Sequence, residues 1–546
     1  MRILGLHAGG HDTGACAIDA GRILAIGEER LSRVKNDGAF PGRAIEHVLG
    51  GAPLSSVDLI VLDVCDGQTR RALGEVRARG YDGPLEVIDH HLAHAASARF
   101  MSGAEEAAIL VVDAGGTRLD EWPAEFARPA SYPAPPRAQA VQSFFRASGP
   151  AIETLHQTFT RPGLRLGIGW LWALTTIHLG FGPLEAGKTM GLAAHAPPGS
   201  DQLDWVAPGG DLLFAGELDV ADERTWSAHA ERLFMGVPRR QRDEPLDERH
   251  ARLAARLQRT TEALLLTLAR QLHDATRART LCLSGGVALN VLANRRLAED
   301  SRFAEVVVQP AASDSGIALG CALYGAMSRK EALPEAPELS SYARPPRPSE
   351  LRAAAERAAQ SGFSLSEPKD LYEDVVERLV GGQVIGWFDG ASELGPRALG
   401  RRSLLADPRD PGAKDRVNAL VKHREAFRPF APVVLEERAA ELFDLHFPSR
   451  NMLFSAAVLP EARGRVPAIT HVDGTARVQT VSRSYPGRLR ALLERFDART
   501  GVPALLNTSL NGPGEPIAET AEDALALFAR SDMHALVLDG LVLARA

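Results

Sequence analysis

Four short runs constrain this chain most: VDLIVLDVC at 57–65, AAILVVDAGG at 107–116, TLCLSGG at 280–286 and EVVVQP at 305–310. Each is aliphatic at almost every position and breaks off into small, acidic or proline residues. A strand apolar on both faces needs cover on both sides, and stretches with helical spacing follow to supply it. Such alternation of strands and helices predicts an α/β architecture with a largely parallel sheet.

Around these runs the organisation is legible. RILGLHAG, TGACAIDAG and RILAIGEER read as short strands joined by hairpins, and LEVIDHHLAHAASARF as a strand running into a helix. A long amphipathic helix is expected from Glu248 to Ala278. The stretch 330–350, KEALPEAPELSSYARPPRPSE, is a proline- and charge-rich spacer. After it LRAAAERAAQSG and LYEDVVERLVGG read as helices and QVIGWFDG as a strand, so the chain divides into a two-lobed region 1–340 and a region 341–546. The proline-rich stretch from Trp122 to Ala147 reads as a surface loop. No internal repeat is apparent.

Composition excludes several classes. The 546 residues carry 69 acidic against 62 basic side chains, a formal charge of −7, which argues against a nucleic-acid-binding face. No apolar run approaches the roughly 20 residues needed to span a bilayer, and MRILGLHAGGHDTG lacks the features of a signal peptide. Cys16, Cys65, Cys282 and Cys321 lie far apart without a CxxC pair, which predicts buried thiols in a reducing cytoplasm.

Two sets of residues carry chemistry. His90 and His94 stand four apart in DHHLAHAASA, one face of a helix, which suits either a metal or two partly exposed helix histidines. Asp113 follows the strand AAILVV directly, and Asp314 lies in the loop AASDSG after EVVVQP; both are placed where α/β sheets bind ligands. Two imidazoles and two carboxylates suit a divalent Fe(II), Mn(II) or Zn(II). Gly285 and Gly286 in LSGGVALN open toward a helix, a turn that can cradle phosphate, with Asn290 at its end. His11, in the turn GGHDTG, is either a general base or a hydrogen-bonded turn residue.

The second set is basic: Arg397, Arg401 and Arg402 in ELGPRALGRRS, Lys422, Arg424 and Arg428 in VKHREAFRPF, and Arg477 in TARVQTV, with Asn507, Thr508 and Ser509 in LLNTSLNGPGEP. Guanidinium forks beside hydroxyl and amide donors are what a compact dianion needs. Only six lysines occur, so an arginine at any one place says little and Lys422 and Lys188 say more.

With these residues in hand, the chain resembles the NodU/CmcH family of O-carbamoyltransferases. The resemblance rests on HDTGACAI, EERLSRVKNDGAFP, HHLAHAASA, GKTMGLA, LSGGVALN, SDSGIALG, GPRALGRRS, HREAFRPFAP, TARVQTV and LNTSLNGPGEPI in family order. It implies a TsaD-like, actin-like ATPase fold in 1–340 and a YrdC-like α/β domain in 341–546. By likeness, the second domain converts carbamoyl phosphate and ATP, with Mg(II), to carbamoyl adenylate. The first transfers the carbamoyl group to a hydroxyl of a natural-product acceptor such as an antibiotic sugar, macrolide or aminoglycoside.

Carried over, His90, His94, Asp113 and Asp314 match metal ligands, with Fe(II) the first choice, and His11 matches the base. Lys188, Gly285, Gly286 and Asn290 stand as nucleotide contacts of the first domain. Arg397, Lys422, Arg428, Arg477, Asn507 and Ser509 match the carbamoyl phosphate and ATP residues of the second. The sequence DAGGTRLDEW departs from the family's Asp-Gly pattern after the metal aspartate. Competing readings are a tRNA-threonylcarbamoylating enzyme, which needs an extended basic surface, and an actin-fold ATP-binding regulator, which leaves the C-terminal arginines unused. A hydrogenase-maturation enzyme would carry CxxC zinc ribbons. No nucleic-acid or membrane partner is expected; a homodimer is compatible with the size.

Overall fold

A computed structural model describes residues 1–545 apart from 66, 128–137, 161–166, 198, 200–232 and 235. Two compact units result: Met1–Ala25 with Gly38–Ala336, and Ile26–Asp37 with Pro337–Ala546.

The first unit holds two five-stranded sheets. β1 (Ile3–His7), β2 (Gly14–Asp19), β3 (Arg22–Gly27), β4 (Leu59–Val64) and β5 (Leu85–Asp89) lie in the order β3-β2-β1-β4-β5. β6 (Glu106–Val112), β7 (Ala140–Ser148), β8 (Ala151–Phe159), β9 (Thr280–Ser284) and β10 (Glu305–Val308) lie in the order β8-β7-β6-β9-β10. The two orders are the same, and so are the directions. β1 is antiparallel to β2 and parallel to β4, as β6 is to β7 and β9.

This doubled topology is the arrangement an actin-like fold requires, and it is an internal repeat that the sequence conceals. Its one local trace is HAGG at 7–10, at the end of β1, against DAGG at 113–116 after β6. A repeat kept in strand order and handedness needs only apolar residues at matching places, not the same ones.

The expectation of a largely parallel sheet is corrected: parallel pairing is confined to strands joined through a helix, and the hairpins are antiparallel. The surface-loop expectation for 122–147 is corrected at its end, because Ala140–Ser148 is β7, with Val141, Phe145 and Ala147 buried. Proline ceases at Pro136, and nothing after it prevents a strand; residues 128–137 lie outside the described residues.

The helix His90–Ser102 starts where β5 ends, capped by Asp89, whose carboxylate accepts Leu92 N at 2.9 Å. It crosses the helix Ile317–Ser328 in backbone contact. A Cβ at Gly320 would lie 1.9 Å from the Ala93 carbonyl oxygen, so only glycine allows this approach. That crossing brings the turn carrying Asp314 over the first turn of the histidine helix.

The second unit is built on a ten-stranded sheet. Its strands are β11 (Phe363–Ser366), β12 (Ile385–Phe388), β13 (Arg402–Ala406), β14 (Ala431–Leu435), β15 (Phe443–Asp444), β16 (Phe454–Val458), β17 (Thr475–Val481), β18 (Ala504–Ser509), β19 (Ala535–Leu538) and β20 (Leu541–Arg545). Their order is β11-β20-β19-β12-β13-β18-β14-β17-β16-β15.

Alternation along β19 feeds two cores. Ala535 and Val537 join the helices Leu371–Val380 and Leu489–Thr500, and Leu536 and Leu538 join Pro348–Gln360 and Ala521–Arg530. All four cysteines are free and buried. No described helix is long and apolar enough to cross a membrane.

Candidate functional site

The predicted metal residues converge. One ligand atom each from His90, His94, Asp113 and Asp314 lie within 4.8 Å of one another, and all four residues are buried. His94 Nε2 is 3.2 Å from Asp113 Oδ2, and His90 Nε2 is 3.6 Å from Asp314 Oδ1. Each imidazole is oriented from behind: His90 Nδ1 meets Asp63 Oδ2 at 2.8 Å and His94 Nδ1 meets Ser284 Oγ at 3.0 Å. The Nε2 atoms of both are buried without a hydrogen-bond partner among the described residues.

Outer partners on Nδ1 with free Nε2 atoms aimed at two carboxylates are the arrangement a divalent cation needs, so the residues fit a metal. Asp113 is fixed in turn by backbone N–H groups, Ala114 to Oδ1 at 2.6 Å and Gly286 to Oδ2 at 2.8 Å.

Three participants, Asp63, His7 and Ser284, were not singled out from sequence. Asp63, inside β4, accepts from His90 and, through Oδ1 at 2.9 Å, from His7 Nδ1. His7 Nε2 lies 3.1 Å from the carbonyl oxygen of His11 and 3.7 Å from Asp314 Oδ2. The signals are a carboxylate within an otherwise aliphatic run and a histidine closing one.

Burial alone would raise the carboxylates of Asp63 and Asp314, but the surrounding imidazoles outweigh it and hold both well below the usual range. Burial opposes charge on His90, yet Cys65 and the Asp314 and Asp63 carboxylates raise it well above the ordinary value. His91 faces the other way, to Ser143 Oγ at 2.8 Å, and burial followed by its two neighbouring histidines pushes it down to about 3.

His11 stands at the rim of this set in the β1–β2 turn. Its Nδ1 is 3.3 Å from Asp12 Oδ2 and 3.9 Å from Asp314 Oδ2. Burial lowers its proton affinity, but the Asp12 hydrogen bond and the Asp314 field outweigh that and lift it to about 9.

The glycine turn is used differently from the sequence expectation. Gly285 has φ +90°, and a Cβ there would lie 2.2 Å from Val112 O, while Gly286 gives its N–H to Asp113 rather than to a phosphate. Asn290 caps the helix Val291–Asp300 and exchanges hydrogen bonds with Gln258, so its amide serves structure. Lys188, on the helix Ala186–Ala193, pairs with Glu185 at 2.7 Å.

In the second unit, β12, β14, β17 and β18 and their loops deliver the predicted basic set. Arg397 follows β12, Lys422 ends the helical segment Asn418–Lys422, Arg424 and Arg428 precede β14, Arg477 is on β17, and Asn507 and Ser509 are on β18. Arg397 and Arg477 have no carboxylate or hydrogen-bond acceptor among the described residues, and the Nε atoms of Arg397, Arg424 and Arg477 are buried without one.

Burial and the nearby Arg428 push Arg397 down to about 10 and Arg424 to about 9; burial, Arg397, Arg424 and Arg428 push Arg477 well down. Arg428 pairs with Glu425 at 3.8 Å, whereas Arg397 and Arg477, depressed by their cationic neighbours and without counter-charge among the described residues, suit an anion. Lys422 Nζ is already enclosed by Ser509 O at 2.5 Å, Asn511 Oδ1 at 2.7 Å, Asn511 O at 3.0 Å and Ser509 Oγ at 3.1 Å. Asn507 is buried, donating to Ala398 O and Gln479 Oε1. Arg401 and Arg402 are spent on structure, the first on Asp389 at 2.9 Å and the second on buried carbonyls.

Two family models match the chain. The carbamoyltransferase N-terminus matches residues 2–81 and 74–323, and the carbamoyltransferase C-terminus matches 376–545. An uncharacterized protein of Synechocystis sp. is 33% identical, covering 100% of this chain and 96% of its own. The nodulation protein NolNO of Sinorhizobium fredii is 34% identical over 97% of this chain and 78% of its own. The nodulation protein NolO of Bradyrhizobium diazoefficiens is 36% identical over 83% and 78%. The chain belongs to the carbamoyltransferase family, whose members are carbamoyl-transferring enzymes.

Proposed function

We propose that the chain is an ATP-dependent O-carbamoyltransferase that activates carbamoyl phosphate as carbamoyl adenylate and hands the carbamoyl group to a natural-product hydroxyl. The observation that carries this reading is the pair of half-buried guanidiniums of Arg397 and Arg477 in the second unit, without counter-charge among the described residues. Their chemistry suits a phosphate dianion held by forked donors with Ser509 beside it.

There water hydrolyses carbamoyl phosphate to carbamate and inorganic phosphate, and a carbamate oxygen then attacks the ATP α-phosphorus, releasing pyrophosphate and leaving carbamoyl adenylate. ATP enters with Mg(II). The arginines offset charge on both leaving anions.

At the first unit's site, the acceptor oxygen attacks the carbamoyl carbon, its proton passes to His11, and AMP departs. His90, His94, Asp113 and Asp314 would hold a divalent metal, which supplies Lewis acidity toward the carbonyl when bound. Asp12, hydrogen-bonded to His11, and the Asp314 and Asp113 carboxylates hold the proton that His11 takes up. Asp63 and Ser284 keep the proton of each liganding imidazole on Nδ1.

The test is incubation with ATP, Mg(II), carbamoyl phosphate and a panel of hydroxylated natural products, followed by mass spectrometry. A carbamoyl mass increment that needs both ATP and carbamoyl phosphate supports the proposal. No increment on any acceptor, together with no carbamoyl-phosphate-dependent cleavage of ATP, overturns it.

A further inference from the structure

The second unit contains a piece of chain from far upstream, the twelve-residue strap Ile26–Asp37. It carries the short helix Glu28–Ser32, ends it at Arg33 in the left-handed region (φ 64°), and is tied off by Glu29, which accepts from Lys35 Nζ at 3.1 Å and Asn36 N at 2.9 Å. Two of its arginines reach inward. Arg30 is 4% exposed, and its Nη2 donates to Glu393 O at 3.1 Å and Gly395 O at 3.0 Å. Arg33 donates through Nη1 to Ile517 O and through Nη2 to Pro516 O, both at 2.8 Å, and its Nε lies 3.3 Å from Asp523.

These carbonyls belong to the two loops that present the anion residues. Gly395 is two positions before Arg397, in a loop closed on itself by Glu393 Oε1, which accepts the N–H groups of Leu399 at 2.6 Å and Arg401 at 2.9 Å. Pro516 and Ile517 anchor the far end of the loop in which Asn511 accepts from Lys422 and Ser509 and donates to Glu515 O at 2.6 Å.

A guanidinium that donates to two carbonyls fixes their spacing as a single-point ammonium does not. Neither arginine replaces a missing counter-ion at the anion site; both shape its frame. Resting on the proposed carbamoyl-phosphate chemistry of the second unit, we infer that Arg30 and Arg33 are positioning residues of that site, setting the loops that carry Arg397 and Ser509. Competence of the C-terminal half then depends on twelve residues contributed by the N-terminal sequence.

The test uses the full-length protein and its Arg30→Met, Arg33→Met and Arg33→Lys variants. Carbamoyl-phosphate-dependent exchange between ATP and pyrophosphate is measured as KM and kcat, beside calorimetric titration with inorganic phosphate and the thermal midpoint. Each Met variant should raise KM for carbamoyl phosphate about tenfold or more and weaken phosphate binding in parallel. Arg33→Lys should recover part of the loss, since one ammonium can still serve one carbonyl. Unchanged KM and phosphate affinity in Arg33→Met, folded as wild type, would overturn the inference. So would a loss confined to kcat. If Arg30→Met does not fold, the Arg33 pair decides alone. A wild type without exchange refutes the carbamoyl adenylate reading instead, and phosphate titration still tests the strap.

Discussion

Replacing Asp63 by Asn changes one atom and removes one charge, yet it should disarm the histidine set. The carboxylate, 1% exposed, accepts from His7 Nδ1 and His90 Nδ1 at 2.9 and 2.8 Å with one oxygen each. An amide offers one oxygen and one NH2, so one of the two imidazoles must now accept at Nδ1 and carry its proton on Nε2. If that imidazole is His90, its protonated Nε2 can no longer bind a cation. If it is His7, the histidine loses the carboxylate that charges it, while its Nε2 proton still donates to the His11 carbonyl. Loss of such an outer partner weakens metal binding by about 10–100-fold, or ~1.4–2.8 kcal/mol. Stripping counter-charge from a buried pair should also lower the stability of the metal-free protein by about 3 kcal/mol. Competition against a chromophoric chelator reads the first effect and thermal unfolding the second. Wild-type metal affinity in a folded Asp63→Asn variant would refute the assignment of Asp63 as the device that keeps the His90 proton away from the metal.

Other outcomes follow from the same contacts. His90 is held protonated above its ordinary pKa in the metal-free protein, so a cation must expel that proton; affinity should fall as pH drops from about 8 to 6, and a flat titration would contradict it. His11→Ala should stop carbamoylation of the acceptor while pyrophosphate release continues, with transfer at wild-type rate dismissing the base role. Arg477→Met should raise thermal stability by about 1 kcal/mol, because an unpaired guanidinium among cations is relieved, while carbamoyl phosphate binding is lost; a destabilised variant would mean that the arginine has a structural partner after all.

What could be read from sequence, and what could not, divides along physical lines. The aliphatic runs became β4, β6 and β9, buried along almost their whole length, and β10, an edge strand only partly covered. His90 and His94 were legible through helical spacing, and Asp113 and Asp314 through their places after buried strands. Asp63, His7 and Ser284 were not, since an outer partner is defined by which strand lies beside which, and no local spacing encodes β1 next to β4. The same limit hid the duplication of the two sheets and the recruitment of Ile26–Asp37 into the second unit. Among the arginines, residue type could not separate Arg401, tied to Asp389, from Arg397, which has no partner among the described residues. Only the presence or absence of a counter-charge in three dimensions does so.

On the proposed mechanism ATP is split at its α-phosphorus to activate a carbamate. With ATP labelled in the α-phosphate and carbamoyl phosphate present, labelled AMP should form together with unlabelled pyrophosphate, at a rate that vanishes without carbamoyl phosphate. Labelled ADP accompanied by inorganic phosphate, or cleavage indifferent to carbamoyl phosphate, would contradict it.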